Sequence, residues 1–184
     1  MSPRLIISIL WVAFLVVWLF AAILYHHRGV HRSWSRVAVV RLVAAGLFVV
    51  ILHFLAKNGL PPATQSVSME WAGVAVATLG IALAFWARAA LAGSWGMPAS
   101  QADQPILVTS GPYHWIRHPI YTGVLLGLIG TAMAISPLLF IPFLVLLVYF
   151  IYAAVQEERY LSSKLGRPYE EYRAHTKMLL PYIF

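Results

Sequence analysis

The chain has 184 residues, of which 61% are hydrophobic and only 10% are charged, and its net charge is +7. A soluble domain carries about 25% charged residues, so this composition indicates a single integral membrane domain over residues 1–184. The absence of cysteine excludes disulfides, thiolate metal sites and a cysteine nucleophile. In a membrane protein, excess Lys and Arg is typical of cytoplasmic loops rather than of nucleic-acid binding.

Five apolar segments predict an all-α bundle of five transmembrane helices. They cover, in chain order, residues 5–25, 37–55, 69–91, 119–135 and 138–165. The first is long enough to span a bilayer and lacks a signal-peptidase site, so we expect a retained helix. Pro119 fits the first position of the fourth helix, and Gly166 with Pro168 ends the fifth.

The positive charges predict the orientation of this bundle. Basic residues follow the first, third and fifth spans, whereas only Arg4 and Lys57 lie on the opposite side. Because Lys and Arg mark cytoplasmic loops, we expect the N-terminus outside and the C-terminus in the cytoplasm. The polar loop before the fourth helix would then share the cytoplasmic face with the end of the fifth.

Small residues predict which spans pack closely, because spacing of four lets backbones approach in lipid. The pattern comprises Gly73, Ala77, Gly80 and Ala84 in the third span and Gly123 and Gly127 in the fourth.

The most informative stretch is 111–123, where ionisable residues lie between apolar runs. If the fourth helix begins a turn early, His114, Arg117, His118 and Tyr121 share one face. If it begins at Pro119, the first two lie on the entering loop, above the helix N-terminus. Either arrangement would attract an anion such as a carboxylate. The alternative is that Arg117 reaches lipid phosphate and the aromatic residues form an interfacial belt.

Glu157 and Glu158 form a second candidate feature near the end of the fifth helix. Adjacent helical residues point about 100° apart, so at most one of the two can face a site fully. Such a carboxylate could bind an ammonium group or ribose hydroxyls. The alternative is a solvated helix end.

Three histidines, His26, His27 and His31, follow the first span. His27 and His31 have the i, i+4 spacing of helical metal ligands, but no carboxylate or cysteine accompanies them. We therefore expect a cationic loop and no metal site.

Two blocks of sequence resemble the isoprenylcysteine carboxyl methyltransferase family, which also takes in phospholipid-type methyltransferases. The first block is 107–113 followed by Arg117-His118-Pro119, Tyr121 and Gly123. The second contains Glu157-Glu158, Leu161, Gly166, Tyr169, Tyr172 and Pro181. The resemblance covers roughly residues 80–184.

This resemblance implies an S-adenosylmethionine-dependent enzyme, with two N-terminal spans in 1–66 and the catalytic core in 67–184. Its acceptor would be a membrane-partitioning or small apolar thiol, carboxylate or amine. Arg117 and His118 are the candidate catalytic residues. The cofactor site carried over by position comprises Pro105, Ile106, Leu107, Val108, Tyr113, His118, Pro119, Ile120, Tyr121, Glu157 and Glu158. We expect a prokaryotic plasma membrane, with this site facing the cytoplasm; an enzyme of the endoplasmic reticulum would have a similar sequence and is the alternative.

Several alternatives stay open at this level. Ala153 and His175 stand where isoprenylcysteine enzymes commonly carry arginine, so the acceptor is not identified. An NADPH-dependent sterol-type reductase carries a similar Arg-His-Pro-x-Tyr segment but usually has more spans. A membrane accessory or transport protein is the non-enzymatic alternative.

Overall fold

The computed structural model describes residues 1–26, 66–91 and 106–180, which are helical apart from turns, short irregular segments and one isolated bridge between Ile116 and Lys177. The α-helices in these ranges are α1 (Pro3–His26), α2 (Val67–Ala90), α3 (Pro119–Ala134), α4 (Phe140–Leu165) and α5 (Arg167–His175). Short 3-10 turns at Gly111–His114 and Pro137–Leu139 precede α3 and α4. The predicted all-α class is confirmed for this part of the chain.

Within the described residues, three stretches are long and apolar enough to cross a bilayer: Pro3–Phe20, Val67–Ala90 and Pro137–Leu165. Helix α3 is also apolar but has only 16 residues. At 1.5 Å per residue it is about 24 Å long, shorter than the ~30 Å hydrocarbon core. The predicted second span, 37–55, lies outside the described residues. The count of five spans and the orientation of the termini therefore stay predictions.

Helices α2 and α3 pack backbone to backbone through glycines. A methyl group on Gly80 would lie 2.5 Å from the Gly127 nitrogen and 2.6 Å from the Gly123 oxygen. A methyl group on Gly73 would lie 2.6 Å from the oxygen of Gly130, a residue outside the predicted pattern. Only residues without side chains allow such contacts, as in small-residue interfaces of membrane helices. The predicted close approach of these two segments is confirmed.

Helix α1 packs on this pair through larger side chains. The Trp11 indole Nε1 donates to Thr131 Oγ1 of α3 at 3.0 Å, and the Phe14 ring lies 6.2 Å from the Phe85 ring of α2, centroid to centroid. Ile7 is buried in the same interface. Several other apolar side chains of α1 between Leu5 and Phe20 are exposed, which is typical of a helix that faces lipid.

Helix α4 ends at Gly166, as predicted, and the chain turns there directly into α5. Gly166 has a φ of 59°, a left-handed conformation that favours glycine. Pro168 lies in the first turn of α5, where a missing N–H costs nothing. Helix α5 was not predicted from the sequence, although it brings the residues that follow it back to the start of α3.

Candidate functional site

The start of α3 is hydrogen-bonded to the backbone that follows α5. The Arg117 amide donates to the Lys177 carbonyl at 2.8 Å, and the His118 amide donates to the Met178 carbonyl at 3.1 Å. Helix α3 begins at Pro119 with His118 as its N-cap. The helix therefore begins at Pro119 and not a turn earlier, which is the second of the two predicted arrangements. The amides of Arg117 and His118 already donate to carbonyl groups of the protein.

Arg117 and Glu158 form a buried ion pair at this junction. Arg117 Nε lies 2.7 Å from Glu158 Oε1, and the two side chains are 9% and 5% exposed. Arg117 Nη1 also donates to the carbonyl oxygens of Arg173 and Thr176, while Arg173 Nε lies 3.6 Å from Glu158 Oε2. Buried charges are stable only when paired, so this network joins α3, α4 and the segment around α5.

Glu157 has different surroundings from its neighbour. Its Oε2 accepts from the Tyr121 hydroxyl at 3.4 Å and lies 3.9 Å from His118 Nδ1. In the described ranges no Lys or Arg pairs with this carboxylate. Because adjacent helical positions diverge by about 100°, α4 directs Glu158 toward Arg117 and Glu157 toward the aromatic rings.

Three stacked rings lie beside Glu157. The His118 and Tyr121 rings are nearly parallel with centroids 5.3 Å apart, and Tyr121 stacks on Phe150 of α4 at 4.6 Å. The buried His118 Nε2 lies 3.3 Å from Glu158 Oε1 but is not aligned for a hydrogen bond. The imidazole thus has a carboxylate near each nitrogen, and stacking restricts its rotation.

Tyr113 approaches this cluster from the turn Gly111–His114, where it is buried. Gly111 has a φ of 60°, and a methyl group on it would meet the Ala90 Cβ of α2 at 3.1 Å. Burial, assisted by the negative charge of Glu157, raises the pKa of the Tyr113 phenol above its ordinary range. The Tyr113 carbonyl accepts a hydrogen bond from the Tyr172 hydroxyl of α5 at 2.7 Å, which ties this turn to the segment around α5.

A cavity of about 480 Å³ adjoins the cluster at the end of α4. Its lining consists of Val155, Glu158, Arg159, Ser162, Ser163, Arg173 and Met178. Glu158 and Arg173 therefore belong both to the ion-pair network and to the wall of an open volume.

The structure brings Arg117, His118, Tyr121, Glu157 and Glu158 into one connected cluster. The remaining predicted site residues are less closely placed. Pro119 is buried and Ile120 half-buried in the first turn of α3, whereas Ile106, Leu107 and Val108 lie in an irregular segment, with Ile106 68% exposed. Pro105, His27 and His31 lie outside the described residues. The binding roles stay predictions.

Three residues of this cluster, Phe150, Arg173 and Thr176, were not predicted from the sequence, and Tyr172 was identified only as part of the second sequence block and not as a site residue. Phe150 precedes Glu157 by seven positions, so two helical turns place both on one face, and this spacing could have identified it. The other three come from α5 and the residue after it, where the three-residue spacing of Tyr169 and Tyr172 fits one face of a helix. Within 1–26, 66–91 and 106–180 no group of three or more His, Asp or Glu residues is arranged to hold a metal.

Comparison with known proteins identifies similar chains. The family model described as phospholipid methyltransferase matches residues 69–167. A rice protein (Oryza sativa subsp. indica) named "Probable protein-S-isoprenylcysteine O-methyltransferase" is 41% identical over 83 residues, which is 44% of each chain. The protein-S-isoprenylcysteine O-methyltransferase of Schizosaccharomyces pombe is 40% identical over 82 residues, 42% of this chain and 34% of that protein.

The fold is similar to a solved structure of the eukaryotic intramembrane Ras methyltransferase, isoprenylcysteine carboxyl methyltransferase. The TM-score is 0.64 at 20% identity, covering 100% of this chain and 69% of the other. At this identity the likeness shows the fold of an integral membrane protein. The chain spans less than half the length of the two curated relatives described above.

Proposed function

The chain belongs to the phospholipid methyltransferase family, and from that premise we propose that it is a membrane methyltransferase using S-adenosylmethionine. The membership confirms the resemblance drawn from the two sequence blocks. The proposed acceptor is an amphiphile or small apolar molecule that partitions into the bilayer. Isoprenylcysteine, which the relatives' names specify, is the first acceptor to test.

The observation that best supports this proposal is the contrast between the two adjacent carboxylates. Glu158 is neutralised by Arg117 and Arg173, whereas Glu157 has no such partner in the described ranges and is 17% exposed. A partly buried carboxylate without a protein cation favours a cationic or hydroxyl-bearing ligand. S-adenosylmethionine has an ammonium group, ribose hydroxyls and a sulfonium, so the residues present fit it.

When bound, S-adenosylmethionine supplies a methyl group already activated by its positive sulfur. We assign to Glu157 the binding of the ammonium group or the ribose hydroxyls. The ring of Tyr113 and the edge of the Tyr121 ring, which is stacked between His118 and Phe150, are proposed to provide apolar surface for the adenosine and methionyl parts. Ile106, Leu107, Val108, Pro119 and Ile120 are proposed to contribute apolar contacts, as the resemblance implies.

Arg117 and His118 have different proposed roles. Arg117 is bound to Glu158 and to two carbonyl groups, so we assign it the positioning of the α3–α4 junction. The imidazole of His118, between two carboxylates, is the group we propose to receive a proton if the acceptor is a thiol or an amine. A carboxylate acceptor would need no base, and alignment with exclusion of water would then suffice.

The proposed location is the cytoplasmic face of a prokaryotic plasma membrane. The end of α4 and the segment around α5 carry Arg159, Lys164, Arg167, Arg173 and Lys177. Such a concentration of positive charge beside a span is typical of the cytoplasmic side.

The test is methyl transfer by the purified full-length protein in detergent with S-adenosylmethionine labelled in the methyl group. Acceptors would include farnesylcysteine, phosphatidylethanolamine and a small alkyl thiol, each with a protein-free control. Label in one acceptor supports the proposal and identifies the acceptor atom. Calorimetric titration with S-adenosylhomocysteine and NADPH provides the independent check. Binding of NADPH alone would reject the proposal in favour of a reductase.

A further inference from the structure

The carbonyl oxygen of Tyr113 has an unusual partner for a residue in a helical turn. In a continuous α-helix the Arg117 amide would donate to this oxygen. The Arg117 amide instead donates to Lys177, and the Ile116 amide donates to the carbonyl of Pro112 at 3.2 Å. The interrupted helix therefore leaves the Tyr113 oxygen in need of a donor from elsewhere.

Tyr172 supplies that donor from α5. Its hydroxyl donates to the Tyr113 carbonyl oxygen at 2.7 Å, across 59 residues of sequence. Helix α5 is anchored in turn, because the Thr176 hydroxyl donates to the Tyr172 carbonyl at 2.8 Å and Arg117 donates to the Thr176 carbonyl. The half-buried position of Tyr172 limits competition from water for this hydrogen bond.

The turn that contains Tyr113 is thus held from two sides. On the α2 side, the Gly111 backbone approaches Ala90 so closely that an added methyl group would lie 3.1 Å from its Cβ. On the α5 side, the Tyr172 hydroxyl binds the turn directly. Removing this hydroxyl would leave a largely shielded carbonyl without its donor and the turn restrained only by α2.

We infer that Tyr172 is a positioning residue of the cofactor site, acting through the backbone of Tyr113 rather than by contact with the cofactor. The inference rests on the proposed function, because it requires that the Tyr113 ring contact the cofactor. It makes α5 part of the binding machinery, since this helix sets the placement of a side chain 59 positions earlier in the chain.

The test is calorimetric titration of the full-length protein in detergent with S-adenosylhomocysteine. We expect Tyr172→Phe to weaken binding about tenfold with unchanged stoichiometry, and to lower the melting temperature by only about 2–4 °C, as for one lost hydrogen bond to a shielded carbonyl. The matched control is Tyr152→Phe, whose tyrosine is 59% exposed on α4. This control should bind like the wild type.

A double-mutant cycle tests the route of the effect. Tyr113→Leu removes the ring but retains the backbone carbonyl that accepts from Tyr172. If Tyr172 acts through the placement of that ring, adding Tyr172→Phe to Tyr113→Leu should weaken binding by less than twofold. Additive losses in the double variant would overturn the inference.

Two further outcomes would also overturn it. Wild-type affinity in Tyr172→Phe would mean that the hydroxyl has no positioning role. Unchanged affinity with reduced stoichiometry and melting temperature would mean a purely structural role. In both cases the wild type still binds, so the proposed function survives. If the wild type itself binds no S-adenosylhomocysteine, the proposed function fails and the inference fails with it.

Discussion

Helix α3 has two regions that are stabilised by opposite means. Its body meets α2 through glycines, with backbone against backbone. Its first turn is held by a buried ion pair and by carbonyls from the segment after α5. In the first region stability comes from close van der Waals approach, and in the second from pairing charges that burial would otherwise make costly. The contrast indicates a rigid apolar frame with a polar end, where Glu157 lacks the cationic partners of Glu158.

The largest effect is expected from breaking the charged network. Arg117→Met would leave the buried Glu158 with the half-exposed Arg173, 3.6 Å away, as its remaining arginine partner, and we expect a loss of about 4 kcal/mol in the free energy of unfolding. Arg167→Met is the matched control, because the Arg167–Glu171 pair is exposed and worth less than about 1 kcal/mol. Denaturant unfolding in detergent measures both. Equal losses would contradict the buried role of Arg117.

A slightly smaller effect is expected from forcing α2 and α3 apart. Gly80→Leu would place side-chain atoms where the α3 backbone lies, and we expect about 3 kcal/mol of destabilisation. Ala82→Leu on the exposed side of α2 serves as control and should change stability by less than about 0.5 kcal/mol. Denaturant unfolding in detergent again measures the stability of both variants. A tolerated leucine at position 80 would show that α2 and α3 do not require backbone contact.

The adjacent carboxylates provide the sharpest comparison. Glu157→Gln should weaken binding of S-adenosylhomocysteine roughly 30-fold, or about 2 kcal/mol, while leaving the melting temperature unchanged. Glu158→Gln should mainly lower the melting temperature, because Arg117 loses its charged partner.

Glu171→Gln, on an exposed position of α5, is the control for both variants and should change neither quantity. Calorimetry and thermal unfolding on the same preparations separate the two effects. If Glu158→Gln lost only affinity and Glu157→Gln lost stability, the cofactor-binding role would belong to Glu158 and the structural role to Glu157.

The smallest effect is the loss of stability at alkaline pH that results from ionisation of the Tyr172 phenol. Burial raises the pKa of Tyr172 from 10.0 to about 12, so the unfolded chain ionises this phenol first. The resulting stabilisation is complete below pH 10 and is lost as pH rises toward about 12. The melting temperature of the wild type should therefore fall more steeply over this window than that of Tyr172→Phe. If the melting temperatures of the two proteins fell equally with pH, the raised pKa of Tyr172 would be contradicted.

Much of the apolar frame was predictable from local pattern. The apolar segments, the start at Pro119, the end at Gly166 and the glycine spacing of α2 and α3 all follow from properties of neighbouring residues. The sequence also indicated that the Arg117-His118 block and the Glu157-Glu158 block form one site. Helix α5 was not predicted, because nine mostly polar residues have little apolar periodicity.

The sequence by itself determined the class of the protein, its apolar segments and the residue types of its polar end, because composition and periodicity report burial locally. Only the tertiary structure decided which carboxylate Arg117 neutralises, that Phe150 completes a ring stack, and that Tyr172 binds the turn of Tyr113. These contacts join positions 29 to 59 residues apart. Their existence depends on which face of α4 meets α3 and where α5 returns, and no local pattern specifies either.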